Sequence, residues 1–255
     1  MTYIKNCHQH LDDITGAFEP ARSVDNFLTQ DEIEHLILLQ FQLADKVKYT
    51  QTSNNIQPVC NVNKLFEEIP SLTERFYELI GDFSDHHTGN YYITTQLHDA
   101  HVDLLTEREC LEPWTQSLIP YKSCVIPLMI SDNAHAQTAF FNQRHIGYSI
   151  TFDRVGISEQ ANSDYELSRE YPNLFNIDGT RNYSNRDYER KKNILFPQIP
   201  VGNLKGLSIE TVLDYTPGSV MLFDACQIHA SCVKRSKPNY KWLKSGINIQ
   251  FYKEV

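Results

Sequence analysis

The segment YYITTQLHDAHVD, residues 91–103, joins a run of aromatic and β-branched residues to a cluster of histidine and aspartate residues. Tyrosine, isoleucine and threonine favour extended structure, so we predict a β-strand over Tyr91–Leu97 that runs into His98–Asp103. Residues two apart on a strand point to the same side. His101 and Asp103 can therefore present an imidazole and a carboxylate to one point in space.

A third candidate ligand lies far along the chain. The turn and apolar strand TPGSVMLFD, residues 216–224, are followed five residues later by His229. Two histidines and one carboxylate on one face of a metal, with the remaining positions open, suit Fe(II). The spacing alone is weak evidence, because a second H-x-D occurs at His10–Asp12, before any strand signal. We take His101, Asp103 and His229 as a candidate metal site.

From residue 91 onwards, the sequence pattern is typical of an antiparallel β fold. Short runs rich in Val, Ile, Phe, Tyr and Thr are separated by Gly, Pro, Asn and Asp, and no helical pattern alternates with them. This argues against a parallel sheet and favours a sandwich or barrel. The predicted strands are Tyr91–Leu97, Tyr121–Ile130, Thr138–Phe141, Ser149–Phe152, Ser219–Phe223 and Ser245–Tyr252. Residues 153–206 are polar and poorly periodic, and we interpret them as a long insertion, a candidate lid over a site.

Helices are predicted before the strands. Thr29-Gln30-Asp31-Glu32 has the form of a capping box, and apolar residues at helical spacing follow to about Lys46. A second helix is predicted over Pro70–Ile80, where Gly81 ends it. Because both helices have an apolar face, we expect them to pack on a larger element.

Length, charge and cysteine usage limit the possible function classes. The chain has 255 residues, a formal net charge of −9 and a pI of about 5.5. An acidic balance argues against nucleic-acid binding, which depends on Lys and Arg. No apolar run approaches the ~20 residues that a membrane span requires, and the N-terminus lacks the apolar core of a signal peptide. With six cysteines and no C-x-x-C pair, we expect a cytoplasmic protein with reduced thiols and no membrane or nucleic-acid partner.

Five segments, taken in chain order, resemble the superfamily of 2-oxoglutarate- and Fe(II)-dependent oxygenases, and its prolyl-hydroxylase-like branch in particular. Each segment is loosely matched on its own, but the ordered set is specific. The resemblance covers roughly residues 24–46 and 91–251, without the insertion. The segments are residues 26–32 (NFLTQDE), 92–103 (the H-x-D segment), 121–141, 217–229 (PG, then FD, then His229) and 244–251 (KSGINIQF).

The resemblance implies a mainly β fold with N-terminal helices, the double-stranded β-helix or jelly roll that cupins also have. One oxygenase domain would span residues 1–255, with supporting helices up to about residue 90 and the jelly-roll core over residues 91–255. The resemblance assigns the iron to His101, Asp103 and His229, with 2-oxoglutarate and O2 as co-substrates. The family usually hydroxylates an unactivated C–H bond and releases succinate and CO2. We therefore expect a dioxygenase that acts on a peptidyl or small-molecule substrate.

The resemblance also implies a cation that pairs with the distal carboxylate of 2-oxoglutarate. Lys244 matches that position, where the family more often has Arg, so a point charge replaces a bidentate contact. Lys241 and Arg235 are alternatives for this role. The hydroxyl groups of Tyr92 and Tyr121 are candidates to donate hydrogen bonds to the same co-substrate, with simple packing roles as the alternative.

Two other interpretations stay open. A cupin-type metalloprotein would use His98, His101 and His229 without 2-oxoglutarate, which requires His98 to lie inside the barrel. The three-residue spacing between His98 and His101 instead predicts that His98 points to the opposite side of the strand, so that it faces outward or lies behind the ligands without binding the metal. A non-catalytic jelly-roll binding protein is the second alternative. The complete set of three ligands argues against it.

Overall fold

Helices precede most of the strands along the chain, as the sequence predicts. The computed structural model describes residues 2–44, 49–52, 55–58, 60–61, 65–94, 97–105, 108–131, 136–147, 149–151, 195–196, 198–199, 207, 209–233 and 244–255. The helices are α1 (Thr2–Gln9), α2 (Leu11–Gly16), α3 (Gln30–Ala44), α4 (Leu65–Glu68) and α5 (Ser71–Ile80), with short 3₁₀ turns at Glu109–Leu111 and Pro113–Thr115. Among these described helices, none is long and apolar enough to cross a membrane.

The strands form two antiparallel sheets and a separate hairpin of β2 and β3. They are β1 (Arg22–Val24), β2 (Tyr49–Thr52), β3 (Asn55–Pro58), β4 (Cys60–Asn61), β5 (His87–Thr94), β6 (His101–Val102), β7 (Leu118–Ile130), β8 (Ala136–Arg144), β9 (Ile150–Thr151), β10 (Ile209–Asp214), β11 (Val220–Asp224), β12 (Gln227–Val233) and β13 (Lys244–Glu254). The larger sheet has the order β1-β11-β7-β13-β5-β4, and the smaller sheet has the order β10-β8-β12-β6-β9. The predicted jelly roll, mainly β with N-terminal helices, is confirmed.

Helices α3 and α5 cover the outer face of the larger sheet. Alternate residues of β13, namely Ile247, Ile249 and Phe251, join the apolar side chains of both helices in one buried cluster, because side chains alternate between the two faces of a strand. The rings of Phe76 and Phe251 lie with their centroids 4.9 Å apart. The two helices therefore pack on the sheet, as their apolar faces predict.

The start of α3 is fixed by the predicted capping box. The backbone N–H of Glu32 donates to Thr29 Oγ1 at 3.3 Å, and the backbone N–H of Thr29 donates to the Glu32 carboxylate at 2.8 Å. Arg75 of α5 reaches the same carboxylate at 2.6 Å, so Glu32 also links the two helices. Helix α5 ends at Ile80 because Gly81 adopts a φ of 74°, a conformation that favours glycine.

The predicted boundary between the supporting helices and the jelly-roll core, at about residue 90, is less sharp in the structure. Strand β1 pairs with β11, and β4 pairs with β5, so the first 90 residues contribute strands to the larger sheet as well as helices. Strands of two or three residues are too short to show a two-residue periodicity in the sequence. The helices of this region are therefore joined by two short strands of the larger sheet.

The predicted strand over Tyr91–Leu97 is also different in the structure. Strand β5 ends at Thr94 in the larger sheet, and the chain then crosses to β6 in the smaller sheet. His101 and Asp103 therefore do not lie on a continuation of β5. The crossing is stabilised by burial of Ala100, which is fully enclosed in the core beside the smaller sheet.

The predicted insertion over residues 153–206 lies almost entirely outside the described residues. Near its end, Phe196 and Ile199 are buried in the core that lies beside the smaller sheet. Gln198 Nε2 donates to the backbone carbonyls of Ser231 and His98, at 2.8 and 3.2 Å. The end of this segment therefore contacts the same part of the barrel as the candidate ligands.

A buried ionic network joins β7, β8 and β11 to the N-terminal segment. Asp224 is 1% exposed, and its carboxylate lies 2.8 Å from Lys122 Nζ and 2.9 Å from Arg144 Nη2. The backbone N–H of Glu19 donates to the same carboxylate at 3.2 Å. One buried anion therefore neutralises two buried cations and holds the chain that leads into β1.

We predict that Asp224→Ala lowers the free energy of unfolding by about 3 kcal/mol, because it leaves two buried cations, Lys122 and Arg144, with only their 3.3 Å contacts to Glu19 and Glu210. The measurement is urea denaturation at neutral pH. Asp13→Ala is the matched control. The Asp13 carboxylate is 70% exposed, and among the ion pairs of the described residues it contacts only His10. Its loss should lower the free energy of unfolding by about 1 kcal/mol or less. Equal losses in the two variants would contradict the assignment of Asp224 as the centre of the network.

Candidate metal centre

His101 and His229 face each other across two neighbouring strands. Strands β6 and β12 pair at these two residues, and the ring centroids are 4.3 Å apart. Asp103 follows β6, and its carboxylate oxygens lie 3.5 Å from His101 Nε2 and 3.4 Å from His229 Nε2. One ligand atom from each side chain lies within 4.8 Å of the other two. The structure therefore brings His101, Asp103 and His229 together at one point.

Backbone carbonyls determine which nitrogen of each ring faces that point. His101 Nδ1 donates to the carbonyl of Asp99 at 2.7 Å, and His229 Nδ1 donates to the carbonyl of Gln227 at 3.0 Å. A carbonyl only accepts hydrogen bonds, so both Nδ1 atoms carry a proton, and in the neutral form of such a ring the free lone pair is on Nε2. Metal-binding histidines commonly have this support, which leaves Nε2 available as the ligand atom.

The ionisation states of these residues also suit a cation. Burial lowers the pKa of His101 to about 4, and the neighbouring His229 adds to the effect, so the imidazole of His101 is neutral at pH 7. Burial alone would raise the pKa of Asp103, but the adjacent His101 and His229 outweigh it and hold the pKa below its usual range. A carboxylate and a neutral imidazole are the forms that bind a metal.

The donor set fits Fe(II). Two imidazole nitrogens and one carboxylate oxygen on one side of a metal leave the other positions open for further ligands. Among the described residues, no other group of three or more His, Cys, Asp or Glu side chains converges in this way. The ring of His229 also lies near those of Phe140 and Phe223, with centroids 5.8 and 4.8 Å away, which limits its rotation.

His98 lies beside the pocket rather than on the far side of a strand. Its ring centroid is 5.8 Å from that of His101, and burial lowers the pKa of His98 to about 3. The prediction from strand alternation fails here because residues 97–100 cross between the sheets and are not a strand. His98 is nevertheless outside the group of converging ligand atoms that the described residues form.

Lys244 is a buried cation close to this group. Its Nζ donates to Ser231 Oγ at 3.0 Å and lies 5.1 Å from the centroid of the Tyr215 ring. Burial lowers the pKa of Lys244 to about 8, and its charge contributes to the low pKa values of His98 and His101. Within the described part of the chain, no carboxylate lies within 4.0 Å of this ammonium. The pocket therefore offers a positive charge that is suited to an anion.

Tyr92 lies in the same pocket, but its hydroxyl proton is already used. Tyr215 Oη donates to the carbonyl of Ser245 at 2.8 Å, and the hydroxyls of Tyr92 and Tyr215 are 2.7 Å apart. Because the proton of Tyr215 points to Ser245, the proton of Tyr92 must point to Tyr215. Donation from Tyr92 to a bound carboxylate would therefore require this tyrosine pair to reorient, and it stays a prediction.

Tyr121 lies away from the pocket. Its hydroxyl donates to the carbonyl of Ile80 at the end of α5, and its ring packs beside Lys253 and the apolar cluster under the helices. The expectation that Tyr121 binds a co-substrate is corrected, because this hydroxyl is occupied on the helical side of the sheet. The two alternatives to Lys244, namely Lys241 and Arg235, lie outside the described residues.

Sequence reasoning did not identify Tyr215 and Ser231. Ser231 lies two residues after His229 on β12, so the alternation of a strand could have found it once that strand was recognised. Tyr215 follows the edge strand β10 and meets Tyr92 across the barrel. No local spacing in the sequence indicates a contact between two sheets.

Comparison with known proteins shows similarity at the level of the fold. No model of a known protein family matches the chain, and no curated protein sequence is similar to it. Among solved structures, one match is SnoK, the non-haem alpha ketoglutarate dependent carbocyclase from nogalamycin biosynthesis. The TM-score is 0.53 and the sequence identity is 9%, over 98% of this chain and 85% of that chain. A Pseudomonas putida prolyl-4-hydroxylase matches with a TM-score of 0.47 and 8% identity, over 97% and 98% of the two chains. The chain therefore shares its jelly-roll fold with SnoK.

We predict that Gly246→Ala lowers the free energy of unfolding by about 1–3 kcal/mol through overpacking. A Cβ at this position would lie 2.5 Å from Tyr215 Oη and 2.7 Å from both Tyr92 Oη and the carbonyl of Ile126. Adding Tyr215→Phe, which removes one of the colliding atoms, recovers part of the loss. The measurement is denaturant unfolding.

Gly16→Ala is the matched control for this prediction, because a Cβ there meets no atom within 4 Å. We expect it to leave the free energy of unfolding unchanged or slightly raised. If Gly246→Ala is as well tolerated as Gly16→Ala, the tyrosine pair does not lie over Gly246 as described.

Proposed function

We propose that this chain is a single-domain Fe(II)- and 2-oxoglutarate-dependent dioxygenase over residues 1–255. The observation that carries the proposal is the convergence of His101, Asp103 and His229 beside the buried ammonium of Lys244, inside a jelly-roll barrel. The shared fold with SnoK, which is described as alpha ketoglutarate dependent, supports it. A metal and an anionic co-substrate would bind side by side in this pocket.

In this proposal, His101, Asp103 and His229 hold the iron from one side. Their Nδ1 bonds to backbone carbonyls keep the two Nε2 atoms directed at the metal position. Bound Fe(II) supplies the chemistry that couples O2 to the oxidation of 2-oxoglutarate and of the substrate, with release of succinate and CO2. The protein contributes a fixed set of ligands and leaves the opposite side of the metal open.

Lys244 binds the distal carboxylate of 2-oxoglutarate in this proposal. A buried ammonium with no carboxylate partner among the described residues is stabilised by a bound anion. The Ser231 hydroxyl accepts a hydrogen bond from Lys244 Nζ, so its own proton is free to donate to the same carboxylate. Lys244 and Ser231 would together hold the far end of the co-substrate while its 2-oxo acid end reaches the iron.

The substrate in this proposal is a peptidyl or free small molecule with an unactivated C–H bond, and the outcome is hydroxylation. The resemblance of the five sequence segments to the prolyl-hydroxylase-like branch supports this choice. SnoK is described as a carbocyclase, so the same fold also supports another oxidative outcome. The open side of the metal position is where the substrate would enter.

Two alternatives make different predictions. A cupin-type metalloprotein would bind metal through His98, His101 and His229 and ignore 2-oxoglutarate. His98 lies near His101, but it is outside the converging group of described residues. A non-catalytic binding protein would bind no metal at this group. One titration with Fe(II) and 2-oxoglutarate distinguishes the three possibilities.

We predict that anaerobic addition of Fe(II) and then 2-oxoglutarate produces the visible charge-transfer absorption of a chelated 2-oxo acid. His229→Ala should lose it, because one of three ligands is gone. Iron binding without the absorption would favour the cupin-type alternative, and absence of metal binding would favour the non-catalytic one. His35→Ala is the control: this histidine is half-exposed beside Glu68 on the helices, and the variant should behave as wild type.

We predict that the affinity for 2-oxoglutarate falls as pH rises through about 8, because the pKa of Lys244 is lowered by burial to about 8 and only the protonated amine attracts the carboxylate. The dissociation constant should be flat below that pH and should rise by up to about tenfold for each unit above it. Anaerobic calorimetry of the Fe(II)-loaded protein measures it.

Two variants of Lys244 test the cause of this pH dependence. Lys244→Arg stays charged, so the affinity should lose its dependence on pH in this range. Lys244→Met should bind about 10–100-fold more weakly at neutral pH, the value of a charge-assisted hydrogen bond. An arginine variant that keeps the inflection near pH 8 would show that another group anchors the co-substrate.

A further inference from the structure

We infer that Gln227, held by Glu210, is a positioning residue for the metal ligand His229. The inference rests on the proposed function, because it explains how one iron ligand is kept in place. Gln227 is fully buried at the start of β12, two residues before His229. Its carbonyl accepts the hydrogen bond from His229 Nδ1 at 3.0 Å, so the place of this carbonyl decides where the imidazole points.

The strand pairing is irregular directly after Gln227, which pairs with Arg144 of β8. Strand β12 pairs with β8, but the register shifts between Gln227 and His229. At this irregular point the carbonyl of Phe141 accepts hydrogen bonds from two side chains, Gln227 Nε2 and Arg144 Nη1, each at 3.0 Å. Irregular pairing of this kind often lies next to functional sites, where it directs a side chain. Here, side-chain hydrogen bonds hold the part of the strand from which His229 projects.

Glu210 provides the second support of Gln227. Gln227 Nε2 donates to Glu210 Oε2 at 2.7 Å, in addition to its bond with the carbonyl of Phe141. Gln227 is thus held through its side-chain amide on one side and is bonded to His229 through its carbonyl on the other. A displaced amide would move the residue and rotate the carbonyl that orients the ring.

Glu210 is itself held from two directions. Its Oε1 lies 3.3 Å from Arg144 Nη2, and its Oε2 accepts the backbone N–H of Ala21 at 3.1 Å. Arg144 is fixed in turn by Asp224 at 2.9 Å. The buried ionic network therefore extends through Glu210 and Gln227 to His229. The structure assigns to this network a role in metal binding in addition to its role in stability.

The test compares Fe(II) affinity in Gln227→Leu and wild-type protein under anaerobic conditions. Leucine has a similar volume and keeps the backbone carbonyl, but it removes the bonds to Glu210 and Phe141. We expect the dissociation constant of Fe(II) to rise by about tenfold, at the lower end of what supporting residues of metal ligands contribute. We also expect the d–d absorption of the Co(II)-substituted protein to change, because it reports the geometry of the ligands.

Glu210→Gln is the second variant, for the case in which leucine at position 227 prevents folding. It keeps the shape of Glu210 and removes its charge, and we expect a smaller rise of the Fe(II) dissociation constant in the same direction. The double variant should bind Fe(II) no more weakly than Gln227→Leu alone, because both changes act through one contact. Two additive losses would overturn the inference.

Gln137→Leu is the matched control. Gln137 Nε2 donates to Asp214 at 2.7 Å between β8 and β10, which is the same type of contact in the same sheet but on its exposed side. The control should keep the wild-type Fe(II) affinity and Co(II) spectrum. If folded Gln227→Leu also keeps both and loses only thermal stability, the role is structural and the inference is wrong. Failure of the wild-type protein to bind Fe(II) would instead overturn the proposed function, and this inference with it.

Discussion

The pairing of β6 with β12 places His101 directly opposite His229, and this register constrains the whole pocket. A shift of one residue in either strand would turn one imidazole to the other face of the sheet. Strand β6 has only two residues, so its own hydrogen bonds cannot secure the register. The register depends instead on burial of Ala100 and Val102 on either side of His101, and on β8, which holds the other edge of β12.

The barrel contains two groups of buried charges that differ in whether they are paired. The pocket holds a buried ammonium at Lys244 whose charge helps to lower the pKa of His101, while burial lowers the pKa of Lys244 itself. Such an arrangement is unfavourable in the empty protein and becomes favourable when anions and a metal cation enter. The network around Asp224 has the opposite character, because its charges are already paired. The network therefore contributes to stability in the empty protein, whereas the charge of Lys244 is left for a ligand.

Elements with a long periodic pattern or a complete local motif could be predicted from the sequence. The capping box at Thr29 and Glu32 fixes α3 by contacts within four residues, and the long strands β7 and β13 contain long runs rich in strand-forming residues. The short strands β1, β4 and β6 carry no such signal. The hydroxyl group of Tyr121 suggested a binding role, but it donates a hydrogen bond to the carbonyl of Ile80. This contact joins a strand to a helix, and local spacing in the sequence does not indicate it.

Strand alternation led to the H-x-D pair, but it is not what positions the carboxylate. Asp103 lies beyond the end of β6, its oxygens lie 3.5 and 3.4 Å from the Nε2 atoms of His101 and His229, and Asn248 Nδ2 donates to it at 3.5 Å. The two histidines project from paired strands and are tied to backbone carbonyls, whereas the carboxylate leaves the sheet and, among the described residues, accepts a bond from the Asn248 side chain. Precise sites usually rest on regular elements. In the proposed iron site the imidazoles would therefore set the position of the metal, and Asp103 would be the ligand that can adjust to it.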